Sequence, residues 1–425
     1  MTAPRDKFGR PIVVVTGMGL VTSLGAGKTD NWARLVAGES GIRTITRFPI
    51  DGLKTTMAGT VDFVAVAPFS APGLSERMAE MATEEALEQA GIGAKGDFPG
   101  PLFLAVAPVE LEWPQRLELS RAVGKQDVTY DDLLRLSGGG KFAAFHHRFM
   151  FGSVADHLAE RFGTKGSPIS LSTACASGAT SIQLGVEAIR RGETDAALCV
   201  ATDSTVNPEA LIRFSLLSAL STQNNPPQAA SKPFSKNRDG FVMAEGTGAL
   251  ILESYEAATA RGAKILGVVA GCGELTDSFH RTRSSPDGNP IIGCMKKTLA
   301  DAGMEPEQID HINAHGTSTP ENDKMEYQTT SAVFGELAKK IPVTSNKSMV
   351  GHTLTAAGAI EAIFSLLTLE HQRIPPTINY DVPDPSILFN VVGNKARDAR
   401  VTAVMSNSFG FGGQNASLIL TREPA

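Results

Sequence analysis

The sequence predicts an α/β protein with largely parallel sheets, covered by helices on both faces. Three observations carry that prediction. Short apolar runs of strand length alternate with helical patterns along the whole chain. The alternation restarts near residues 260–266, as two halves of similar grammar would. At 425 residues, with 42% apolar and 20% charged side chains, the chain is two to four times an ordinary domain and can bury a sizeable core.

The elements follow in order. Apolar runs at 12–16, 102–107, 167–172, 197–202 and 248–253 read as buried strands. Helical patterns lie at 75–90, 176–191 and 321–334. After the restart come a strand at 265–273, a helix at 288–302 and a strand at 309–314. A strand at 340–344 precedes a helix ending at His371, and 401–406 pairs with 416–421. This gives two units, 1–262 and 263–425, reading as a structural duplication. Residues 109–150 break the rhythm with many charges, Pro114 inside a helix-like pattern and a Gly138-Gly139-Gly140 run. They read as a long excursion with its own helices.

Composition excludes several classes. A net charge of −6 argues against a nucleic-acid coat or an anionic-membrane binder. Four cysteines without a C-x-x-C pair encode neither a zinc ribbon nor a disulfide framework, which fits a reducing cytoplasm. The apolar part of the N-terminus is too short for a signal-peptide core. No uncharged apolar run approaches the roughly 18 residues of a membrane span. TGMGLVTS at 16–23 imitates a dinucleotide loop and GAGKT at 25–29 a phosphate loop, but Thr22 stands where each needs a glycine.

Cys175 lies in PISLSTACASGAT, where a strand runs into a helix among small residues. A thiol on the positive end of a helix dipole is expected to have a lowered pKa and to act as a nucleophile. The plainer reading is a buried structural cysteine, and Cys199, Cys272 and Cys294 keep that reading. His315 and His352 stand in matching strand-to-helix loops rich in Gly, Thr and Ser. They are either chemical groups or satisfied structural histidines. A zinc site is not indicated, because they lie 37 positions apart with no helical ligand motif. His146 and His147 read as surface. Lys347 and Glu361 flank His352 and either tune imidazole charge or form a structural ion pair. Gly410-Phe411-Gly412-Gly413 makes a turn between two strands, suited to converging N–H groups or simply to a hairpin.

TACASG, NAHGTSTPENDKME, NKSMVGHTLTAAGA and NSFGFGGQN, with KPFSKNRDGFVMAEGTGALILE at 232–253, together resemble the elongating β-ketoacyl-acyl carrier protein synthases of the thiolase superfamily. The resemblance covers nearly all of the chain outside 109–150. It implies the thiolase fold, two similar α/β halves in a five-layered α-β-α-β-α sandwich, as a homodimer. It implies decarboxylative Claisen condensation of an acyl-enzyme with malonyl-acyl carrier protein, with no cofactor and no metal. On this likeness Cys175 is the nucleophile. His315 and His352 bind the malonyl thioester carbonyl, Lys347 supports them, and Glu361 is structural. The N–H of Phe411 joins that of Cys175 in an oxyanion hole, with Phe409 beside it. Thr317 and Thr319 meet the phosphopantetheine arm, and Phe214 lines the acyl pocket.

The same residues separate relatives. A thiolase wants a second cysteine near the C-terminus, and NSFGFGGQN has none. An initiating synthase carries Asn where this chain has His352. A silent chain-length partner lacks the nucleophile; a polyketide ketosynthase subunit shares the triad and is the nearest rival. Two departures stand out. The connection after 102–107 is longer and more charged than usual in the family. Ser218 stands where many relatives have Arg, and Arg77 is alone in a stretch often richer in basic residues, with Arg213, Arg281 and Arg283 as possible substitutes. These departures point to a specialised carrier and an unusual, very long acyl chain.

Overall fold

A computed structural model describes residues 4–66 and 69–423. The core strands are β1 (Val13–Thr22), β2 (Leu102–Val106), β3 (Ile169–Leu171), β4 (Ala196–Asp203), β5 (Gly246–Ser254), β6 (Gly267–Thr276), β7 (His311–Asn313), β8 (Pro342–Thr344), β9 (Ala403–Phe409) and β10 (Gln414–Thr421). Hydrogen bonds arrange them as β1-β5-β4-β2-β3 and β6-β10-β9-β7-β8. Both sets follow the same order: first, fifth, fourth, second, third. Directions match too. In each set the first three strands pair antiparallel with their neighbours and the outer ones pair parallel. β1 meets β6 at Val14–Val268 and Val15–Gly267, which joins the sets into one path.

The sheets are therefore mixed, not largely parallel as expected. The reason is local. Parallel neighbours need a crossover of about a dozen residues or more. β9 and β10 are joined only by Gly410–Gly413, so they must return antiparallel.

Five helices complete the layers: α1 (Ala71–Ala90), α2 (Ser177–Arg190), α3 (Asn289–Ala302), α4 (Pro320–Phe334) and α5 (Ala357–His371). α1 covers the outer face of β1 and β5, while α3 covers β6 and β10 and carries α4 beside it. α2 and α5 pack on each other between the two sets. The result is the α-β-α-β-α sandwich of the thiolase fold. α5 shows why the middle layer is interior: every residue from Ala357 to Leu369 is buried, and a helix apolar all round must be enclosed. α1 starts four residues earlier than expected, because Ser70 accepts from the Gly73 N–H and Pro72 fits the first turn.

The excursion forms its own helices, Trp113–Val123, Tyr130–Gly138 and Ala143–Phe149, with Pro114 in a first turn and His146 and His147 exposed. The dinucleotide-like glycines lie inside β1. A Cβ on Gly17 would sit 2.1 Å from the Ala86 carbonyl oxygen, and one on Gly19 would sit 1.8 Å from that of Ala82. They admit α1 close to the sheet.

α2 and α5 cross at Gly178 and Gly358. A Cβ on Gly178 would stand 2.5 Å from the Ala359 nitrogen, and one on Gly358 would stand 2.5 Å from the Ala179 nitrogen. Backbone meets backbone there, so neither helix can yield locally. Gly358→Val is expected to destabilise the protein by about 3 kcal/mol or more. Gly138→Ala, where nothing lies within 4 Å of the added atom, should change stability by less than about 1 kcal/mol. Urea unfolding of both variants checks the difference.

Candidate active site

The crossing brings two strand-to-helix elbows together. In the first, Ala174 takes φ 49°, a left-handed conformation costly for a residue with a Cβ. Ser177 holds it there: its Oγ accepts the Thr173 N–H at 2.8 Å and donates to the Ala174 carbonyl at 2.6 Å. This turns Cys175 toward a cavity just before α2. The second elbow repeats the form at Leu354, with φ 45°. Its upstream arm carries His352, clamped by its N–H to the Val242 carbonyl at 2.7 Å and by its carbonyl to the Ala244 N–H at 2.9 Å.

His352 Nε2 lies 3.2 Å from Cys175 Sγ. His315, delivered by the end of β7, stands edge-on to His352 with ring centroids 5.4 Å apart. One nitrogen from each imidazole and the sulfur all lie within 4.8 Å of each other. Behind them is the buried pair Lys347–Glu361. Lys347 Nζ donates to the His315 carbonyl at 2.7 Å and stands 3.5 Å from His315 Nδ1. The Leu354 N–H donates to His352 Nδ1 at 3.3 Å. With a cation and an N–H aimed at the two Nδ1 atoms, both rings carry their proton on Nε2, facing the cavity.

Burial holds both imidazoles well below their ordinary pKa, with the Lys347 charge acting in the same direction. They are neutral donors. Burial also pushes the Glu361 carboxyl up to about 7 against the pull of Lys347. The thiol behaves differently from expectation. Burial pushes Cys175 up to about 11, and the Phe411 N–H, Lys347 and its own N–H only partly oppose that. The expected lowering at the helix end is overturned because a desolvated thiolate costs more than the helix end returns. The resting group is a thiol. The N–H groups that reach its sulfur are those of Phe411 and Cys175.

One cavity of about 910 Å³ contains the triad and the other expected contacts, Phe214, Thr317, Thr319, Phe409 and Phe411. Lys347 and Glu361 do not line it; they lie beneath. Edge-to-face contacts run from Phe214 to Phe241 at 5.4 Å, to His352 at 5.3 Å, and from His315 to Phe409 at 5.8 Å. Thr317 and Thr319 share a hydroxyl hydrogen bond of 2.9 Å. The three donor atoms could in principle hold one soft cation, but the Lys347 ammonium opposes a positive charge there.

Two positioning residues escaped sequence reasoning. Glu326 accepts the N–H groups of His315 and Gly316, both at 2.8 Å, and burial pushes it up to about 7. Asp203 accepts from the Thr355 hydroxyl at 2.7 Å, tying the end of β4 to the second elbow. The usable signal for Glu326 was the spacing Asp323, Glu326, Thr330 on one face of α4. All three are buried, whereas such a face ordinarily reads as solvated.

Comparison with known proteins adds the family. Residues 10–258 match the model described as Beta-ketoacyl synthase, N-terminal domain, and residues 266–381 match that for the C-terminal domain. This chain belongs to the β-ketoacyl synthase family. Among its relatives is 3-oxoacyl-[acyl-carrier-protein] synthase 2 of Coxiella burnetii, 36% identical over 96% of this chain and 98% of that one. The tetracenomycin polyketide synthase ketoacyl synthase alpha subunit of Streptomyces glaucescens is 35% identical over 96% and 97%. Among solved structures, a type II polyketide ketosynthase in complex with its acyl-carrier protein covers 97% of this chain and 100% of its own, at TM-score 0.87 and 33% identity. A Beta-ketoacyl synthase from Burkholderia phymatum covers the same shares at TM-score 0.82 and 31% identity.

In this β-ketoacyl synthase the thiol's state is directly measurable. Alkylation of Cys175 by neutral iodoacetamide should rise about tenfold per pH unit from pH 7 to 10, since the thiolate fraction follows pH below a pKa of about 11. A rate already level at pH 8, read by peptide mass spectrometry, would instead show a thiol lowered by its helix end.

Proposed function

We propose that this chain is a 3-oxoacyl-acyl carrier protein synthase of fatty acid elongation, joining an acyl group on Cys175 to malonyl-carrier with loss of CO2. The observation that carries the reading is the convergence of Cys175, His315 and His352 on one cavity, with their donor atoms within 4.8 Å.

The chemistry follows from the groups present. In the first exchange Cys175 sulfur attacks the acyl-carrier thioester. The carbonyl oxygen becomes an oxyanion between the Cys175 and Phe411 N–H groups. The thiol proton ends on the departing carrier thiol, so a neutral cysteine needs no net base and little energy separates the two thioesters. Malonyl-carrier then enters past Thr317 and Thr319, with its thioester oxygen between the two Nε2–H donors. The C–CO2 bond breaks, CO2 leaves, and its electron pair forms an enolate on that oxygen. Neutral donors suit this step, since an enolate in a dry site gains most from preorganised N–H groups. The enolate carbon attacks the acyl carbonyl on Cys175, the sulfur leaves as thiolate, and one proton from solvent restores the thiol. Lys347 is a positioning residue for His315, and Glu361 neutralises Lys347. Breaking such a buried pair costs about 3–5 kcal/mol.

The partners are an acyl carrier protein and a second copy of the chain. β3 supports dimerisation. It is an open sheet edge with Ile169 45% exposed, whereas the corresponding edge at β8 is covered by Asn390–Val391. Arg281 and Arg283 are exposed near the cavity and are the better basic contacts for a carrier. Arg213 is already paired with Glu110 at 3.2 Å. Four free cysteines suit a reducing cytoplasm. A polyketide ketosynthase is the second reading, favoured by the identity to the tetracenomycin alpha subunit. A silent partner is disfavoured, because the chain has the nucleophile Cys175 and that residue lines the cavity.

Incubation with acyl-carrier should add one acyl mass to Cys175, as read by intact mass spectrometry, and Cys175→Ala should add none. His315→Ala with His352→Ala should still acylate yet release no CO2 from malonyl-carrier. Release of CO2 by that double variant would overturn the roles given to the histidines.

A further inference from the structure

The rim of the cavity carries an apolar ridge open to water. The helix Pro208–Leu216 forms one wall, with Ala210, Arg213 and Phe214 lining the space. It is fixed from within. Asn207 caps it by accepting the Ala210 N–H at 2.9 Å, and Glu112 accepts the Asn207 side-chain N–H at 3.0 Å. Leu211 is buried, and Phe214 packs edge-on to Phe241. With those residues inward, the other side of the helix turns to solvent. Ile212 is 44% exposed and Leu216 81% exposed. They stand four positions apart and so are neighbours on the helix surface. Leu217 continues the ridge into the mouth: it is 46% exposed and also lines the cavity. One exposed leucine is ordinary, but a contiguous apolar ridge at the mouth of a site marks a contact surface.

The cations around it are already spent. Glu110 holds Arg213 at 3.2 Å and Arg116 at 2.9 Å, and Glu80 holds Arg77. Ser218, just past the helix, carries no charge. This lip therefore offers a partner apolar contact, not a positive field. Arg281 and Arg283, exposed near the cavity, can steer an approaching acid, but steering sets the rate of encounter more than the strength of the contact. The occupant is fixed by the arm it must deliver. An arm that passes Thr317 and Thr319 to reach Cys175 enters the cavity that Leu217 lines, so the protein carrying it comes to rest at this mouth.

We propose that Ile212, Leu216 and Leu217 are the main docking contact for the acyl carrier protein, and that the carrier fitted to this chain meets them with apolar side chains. This rests on the condensing reading given above and names the chemistry of its partner. It also accounts for the missing arginine at Ser218: a contact made by the ridge does not depend on a cation there.

The test follows Cys175 acylation by intact mass spectrometry with two donors, palmitoyl-acyl carrier protein and palmitoyl-coenzyme A. Both bring the pantetheine arm, and only the first brings a carrier. Ile212→Gln with Leu216→Gln removes the apolar surface, adds no charge and suits an exposed helix. This double variant should lower kcat/KM for the carrier donor by about tenfold or more, with the coenzyme A donor changed by less than about twofold. Raising NaCl from about 50 to about 500 mM should slow the wild type with the carrier donor by less than about threefold, since salt screens charges and leaves apolar contacts in place. An unchanged carrier rate in the double variant, an equal loss with both donors, or a wild type slowed further than that by salt overturns the docking role and leaves the condensing reading intact. So does a double variant that sediments as a smaller assembly than the wild type with its carrier rate kept, because the ridge then faces a second copy. A wild type that takes no acyl group from either donor removes both.

Discussion

The arrangement depends on one close approach, the crossing of α2 and α5 at Gly178 and Gly358. Those helices form the shared middle layer, and each begins at an elbow that follows the third strand of its set. Packing the glycines backbone to backbone superposes the two elbows in space. Cys175 comes from one and His352 from the other, and the 3.2 Å between sulfur and imidazole results from that contact. The repeated left-handed residues, Ala174 and Leu354, show that the same device was used twice. Only the first elbow carries a thiol. The second presents Thr355, held by Asp203, and gives its histidine from the arm before the turn.

Electrostatics in the site follow from enclosure. Excluding water raises the thiol, lowers both imidazoles and raises the carboxyls of Glu326 and Glu361. Each shift opposes charge, and in Glu361 the contact with Lys347 works against it. A site of neutral groups with fixed N–H donors is poor at removing protons from carbon. It is well suited to receiving an oxyanion that decarboxylation creates. Lys347 is the fixed charge at its base, and Glu361 balances it. The left-handed turns are stable because Ser177, Glu326 and Asp203 hold backbone groups that water cannot reach.

Much of this was legible in the residues. Strand and helix positions followed from apolar runs and their periods, because burial on one or both faces writes itself into spacing. The glycine and small-residue surroundings of Cys175, His315 and His352 marked tight strand-to-helix loops. The strand directions were not legible, since a run buried on both faces looks the same whichever way its neighbour points. Asp203 was not legible either, and Glu326 was marked only by the face it shares with Asp323 and Thr330. A carboxylate on a helix or at a strand end normally faces water, and only the N–H groups of a distant segment make its burial affordable.

The sequence by itself determined the fold class and singled out the candidate reacting groups, since these depend on residue type and local spacing. The tertiary structure alone decided that three side chains from separate loops face one hollow. It also decided that the thiol rests protonated, against the local expectation of a helix N-terminus. Local spacing carries the dipole of one helix, whereas desolvation is summed over every segment that closes around the sulfur.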